Sequence, residues 1–251
     1  YDELMRELEA LPGVISVAGT SNVPLTGEIG AGSMWRTDAP GATGDAPPTS
    51  STDQWRALIQ IVTPGYFGTK GMPVRAGGGS TTADPLTEQD FLIQDDPAPA
   101  GVAVINEAMH RRFWPASDPI GETIRLFDDL SFASHRTIVG VVADARVEAM
   151  DSAPSPAVFL PVAQHPGRAL SLVIRSELLP VSLVESVTER LEAYDPAVVI
   201  AGVRPLDEVV GGALSRPRFT MLLAGSFAAL ALTIAGVGVF GIVGYLVARR
   251  T

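Results

Sequence analysis

The 30 residues at 219–248 include no Asp, Glu, Lys, Arg or His. As one helix they would extend about 45 Å, whereas the hydrocarbon core of a bilayer is about 30 Å thick. The alternative is a helix buried in a soluble core, but such helices seldom run this far without a charge. The run therefore predicts one transmembrane helix within residues 216–251.

Small residues recur along this run, and three glycines follow one another at three-residue spacing: Gly238, Gly241 and Gly244. In lipid, small residues let helix backbones approach closely, and this packing is a main force that joins helices. The alternative explanation is that membrane spans are generally richer in glycine than soluble helices. The spacing favours the first explanation, and it predicts that the three glycines form a helix-packing face.

Charge limits the classes of partner. The net charge is −10 and no basic stripe is visible, which argues against nucleic acid as a ligand. Two arginines lie on each side of the uncharged run, so the positive-inside rule gives a tie for its orientation. The chain opens at Tyr1 within a helical pattern, and we expect the natural start to lie upstream.

No motif supports a catalytic, cofactor or metal site. Residues 236–241 match G-x-G-x-x-G, but they lie inside the predicted span and not at a strand-to-helix turn. The histidines, His110, His135 and His165, are isolated from one another, and the chain has no Cys. Walker A, H-E-x-x-H and G-x-S-x-G motifs are absent from the sequence. We therefore expect no catalytic residue, cofactor or metal.

The remaining sequence alternates strand and helix patterns without a fixed repeat, which predicts an α+β fold. Amphipathic helices are expected at 2–11 and 181–194, and Asn106 is expected to cap a helix at 107–113. Residues 24–51, rich in Gly, Pro, Ser and Thr, predict a long loop. The other expected elements are strands at 14–18, 55–62, 102–105, 122–127, 137–142, 158–160, 170–175 and 198–203, and a short helix at 206–214.

Ten short segments follow one another in a particular order and are spread over nearly the whole chain. They are LPGV at 11–14, TPGYF at 63–67, GMP at 71–73, VINE at 104–107, RFWP at 112–115, DPIG at 118–121, IVGVVAD at 138–144, FLP at 159–161, RPRF at 216–219 and YLVARRT at 245–251. As an ordered set they resemble the MacB-like periplasmic core domain leading into an FtsX-type permease helix. The subgroup they are most similar to is the duplicated orphan permeases typical of acidobacteria.

The resemblance implies a domain organisation. Residues 1–215 would form a two-lobed periplasmic domain, followed by one transmembrane helix at 216–251. A porter-like α/β lobe would combine 1–62 with 162–215, and a second lobe at 63–161 would be inserted between them. One departure is the stretch after Ala76, which is longer and more acidic than the corresponding turn of the family.

The resemblance also implies a function. Permeases of this type sit in the bacterial inner membrane with their main domain in the periplasm, and they transmit motion from a cytoplasmic ABC ATPase for efflux or export. The implied partners are that ATPase, other permease helices or a second permease half, and periplasmic proteins. The alternative function is a membrane-anchored binding or adaptor domain that regulates a partner protein.

Overall fold

The structure of the chain is a computed structural model. It describes residues 2–22, 30–37, 48, 54–77, 101–128, 131–145, 153–164, 169–195, 199–200, 202–206, 208, 225–228, 230–236, 238–239, 242, 245 and 249. The chain divides into two compact units, Tyr1–Pro205 and Leu206–Thr251. All the described strands lie in the first unit, together with most of the described helices.

The elements of the first unit alternate as the sequence predicts. Its helices are α1 Asp2–Glu9, α2 Tyr66–Lys70, α3 Glu107–Phe113 and α4 Pro180–Tyr194. Its strands are β1 Val14–Thr20, β2 Ala31–Arg36, β3 Trp55–Val62, β4 Val74–Gly77, β5 Gly101–Asn106, β6 Thr123–Asp128, β7 Ser131–Val142, β8 Ala157–Pro161 and β9 Ser171–Ser176.

Six of these strands close into a barrel. The sheet runs in the order β2-β6-β7-β5-β8-β3, and β3 pairs back with β2. The pairs β3–β8 and β5–β7 are parallel and the others are antiparallel. Because the barrel is closed, each of these six strands pairs with a neighbour on both sides, and none of them is an edge strand.

Apolar side chains fill the barrel. One core cluster draws alternate residues from most of its strands, as the two-residue period of a strand requires. On β7, a register shift against β5 places both Ile138 and Val141 in the cluster. Met109 of α3 and Trp114 after it belong to the same cluster. The members that the strands contribute are Met34, Ala57, Ile59, Ala103, Ile105, Ile124, Leu126, Ile138, Val141, Val158 and Leu160.

A second layer is built on β1 and β9, which pair in antiparallel register. Helices α1 and α4 cover one face of this pair, where their apolar stripes meet. The buried members of that cluster are Leu4, Met5, Leu8, Val17, Leu183, Val187 and Leu191. Helix α2 contacts both strands and contributes to a separate cluster with β3 and β8.

Strand β3 belongs to both parts. Its first half pairs with β2 from Trp55 to Leu58, and its last residue, Val62, pairs with Thr20 of β1. Two further bonds extend the second contact, from Ser21 N to Ile61 O at 2.9 Å and from Thr63 N to Gly19 O at 3.0 Å. One continuous strand therefore connects the barrel to the helix-covered layer. The predicted division into two lobes, at 1–62 with 162–215 and at 63–161, stays a prediction.

Two predictions of local structure are wrong. Strand β2, Ala31–Arg36, lies within the expected loop at 24–51, because pairing with β3 and β6 overrides a turn-rich composition. The strand expected at 198–203 does not form over its described residues, and Val199 is 89% exposed there. Residues 78–100, which include the acidic stretch after Ala76, lie outside the described residues.

The second unit is described only in part. Residues 225–228, 230–236, 238–239, 242 and 245 are helical, as are 206 and 208. Among the residues that the structure describes, no helix is both long enough and apolar enough to cross a membrane. The rest of the run at 219–248 lies outside the described residues, and the transmembrane helix stays a prediction.

Candidate functional site

Asn106 joins three parts of the barrel. Its Oδ1 accepts hydrogen bonds from Met109 N at 3.0 Å and from Ala157 N at 2.9 Å. Its Nδ2 donates to Ser155 O at 2.9 Å. The predicted helix cap is therefore confirmed, and the same side chain also fixes the start of β8.

Asp144 holds the first turn of α3 from the end of β7. Its Oδ1 accepts from Ala108 N at 2.7 Å, and its Oδ2 pairs with Arg111 Nη2 at 2.6 Å. A carboxylate near the first turn also complements the positive end of the helix. Since the Arg111 side chain is well exposed, the ion pair itself contributes only about 0–1 kcal/mol.

Thr63 connects β3 to β1. Its Oγ1 accepts from Gly19 N at 2.7 Å in a buried contact. A Cβ on Gly19 would overlap the Leu170 side chain and come within 2.9 Å of Thr63 Cγ2, so only glycine fits this approach. The two strands thus meet backbone to backbone at this point.

An aromatic cluster follows directly in the chain. Gly65 has a φ of 76°, a left-handed conformation that glycine adopts without strain, and it turns the chain into α2. Phe67 and Phe159 then meet edge to face at 5.1 Å between ring centroids. The Tyr66 hydroxyl donates to Gln60 Oε1 at 3.2 Å, and burial raises the pKa of Tyr66 to about 12, against the opposing hydrogen bond with Thr20.

The described histidines, His110 and His135, lie on different elements and have different surroundings. His110 Nε2 lies 3.3 Å from Ser117 O, beyond the end of α3. His135 lies on β7, where burial and then the charge of Arg125 lower its pKa. His165 lies outside the described residues. Within the described part of the chain, no group of three His, Asp or Glu side chains comes together as metal ligands would.

The predicted helix-packing glycines fall in the second unit. Gly238 is helical, and a Cβ built on it would meet no atom of the described residues within 4 Å. Gly241 and Gly244 lie outside the described residues. The described apolar side chains of this unit are exposed: Phe227, Leu230, Leu232, Ile234, Val239, Ile242 and Tyr245.

Sequence reasoning did not predict the hydrogen bonds by which Arg136 connects β7 to Gln164. Arg136 Nη1 donates to Gln164 Oε1 at 3.0 Å, and that oxygen also accepts from Val102 N at 2.9 Å. A Cβ on Gly101 would overlap the Arg136 guanidinium, so the glycine makes room for the buried cation. A single arginine within an apolar strand gave no signal of this contact.

Together, these contacts show what residues in the ordered set of segments do in the fold. Asn106, Thr63, Gly65 and Asp144 all lie in segments of the ordered set, and each one fixes the geometry between two elements. Residues 2–194 match the family model described as the MacB-like periplasmic core domain.

The chain belongs to the MacB-like periplasmic core domain family.

It is thus a periplasmic domain of the MacB-like ABC transporter permease family. Two crystal structures are similar to this MacB-like domain. The periplasmic region of MacB from Actinobacillus actinomycetemcomitans is 15% identical, with a TM-score of 0.47 over 77% of this chain and 73% of that chain. The extracellular domain of the noncanonic ABC-type transporter YknZ from Gram-positive bacteria is 13% identical, with a TM-score of 0.45 over 74% and 76%. No curated protein matches the chain.

Proposed function

We propose that this MacB-like domain is the extracytoplasmic part of an FtsX-type permease, which carries conformational change between a cytoplasmic ATPase and the periplasm for efflux or export. Membership of the family is the observation that carries the proposal. The uncharged run at 219–248 supplies the connection, as a helix that crosses the inner membrane. Arg249 and Arg250 then lie at the cytoplasmic face.

The strand pairings and buried hydrogen bonds that connect the elements of the first unit support transmission of motion. A domain that transmits movement must move as a body, because a soft connection would absorb the displacement. Strand β3 pairs with β2, β8 and β1, and the buried bond from Gly19 N to Thr63 Oγ1 closes the last of these contacts. Dense packing between such elements transmits strain.

The proposed partners are those that a permease of this type requires. The cytoplasmic ATPase supplies the driving force, and other permease helices or a second permease half pack against the span. Periplasmic proteins are the partners on the outer side. The small residues of the run favour a helix within a bundle over an isolated anchor, because close helix packing in lipid uses such residues.

Replacing Gly241 with leucine in the full-length permease is expected to reduce recovery of the ATPase about tenfold. The added side chain would fill the groove in which another helix backbone lies, and a penalty of about 1.4 kcal/mol corresponds to this factor. The measurement is co-purification of a tagged permease with its ATPase from membranes, together with the export phenotype.

The matched control is Ile242→Leu, which changes the neighbouring residue but keeps its volume and apolar character. It should leave both readouts unchanged. Equal recovery of the ATPase with Gly241→Leu, Ile242→Leu and the parent would contradict the packing face. Failure of the parent itself to recover any ABC ATPase would contradict the proposed function and favour an anchored adaptor.

A further inference from the structure

We draw no further inference here: the strongest candidate, the outer edge of β9 in the layer beneath α1 and α4, carries none, because nothing in the structure shows which chain segment pairs with it.

Discussion

Asn106→Ala is expected to lower the free energy of unfolding of the Tyr1–Pro205 unit by about 3–5 kcal/mol. The side chain is 2% exposed and satisfies the backbone N–H groups of Met109 and Ala157. Alanine leaves both donors unpaired, and each buried unpaired donor costs about 1–3 kcal/mol. Loss of the helix cap is part of the same effect. The bond to Ser155 O is lost as well.

The measurement is chemical denaturation followed by tryptophan fluorescence. The three tryptophans of the chain, Trp35, Trp55 and Trp114, all lie in this unit, so the signal reports on the barrel. The control is Asp118→Ala, which removes a side-chain acceptor for Ile120 N at an exposed loop and should cost under about 1 kcal/mol. Equal stability of the two variants would contradict the role of Asn106 as a buried joint.

Phe67→Ala is expected to cost about 3–5 kcal/mol, the range for removing a buried aromatic ring from a core. Phe67 is 0% exposed and packs edge to face with both Tyr66 and Phe159. The ring lies between α2 and the outer face of the barrel strands, where its loss leaves a cavity that rigid strands cannot close.

Phe127 provides a matched control for this change. It lies on β6 and is 53% exposed, so Phe127→Ala removes the same atoms from a surface that already contacts water. Its expected cost is about 0.5 kcal/mol or less, as for surface substitutions in general. The same denaturation experiment measures both variants. A loss for Phe67→Ala no larger than that for Phe127→Ala would contradict the described core.

Elements with a strong local signal could be predicted. Helix α4 shows buried Leu183, Val187 and Leu191 on one face, as its spacing predicts. Asn106 was predicted as a helix cap because its type and position fit a rule that acts over four residues. In both cases the residues that decide the structure lie within one or two helical turns of each other.

Structure that depends on distant partners could not be predicted. The closed barrel requires β2 to pair with β3 and with β6, and β6 lies some ninety residues further along the chain. The strand expected at 198–203 shows the converse, since an apolar, β-branched sequence forms a strand only where a partner is available.

Mapping the two ends of the uncharged run tests whether it crosses the membrane with the Tyr1–Pro205 unit outside the cytoplasm. Single cysteines at Asp207→Cys and Thr251→Cys can be placed in the full-length permease, and this chain contributes no other cysteine. In spheroplasts, a membrane-impermeant maleimide should label the first position, and it should label the second only after the membrane is permeabilised. Labelling of both positions from the same side would contradict a periplasmic domain joined to the cytoplasm through this helix.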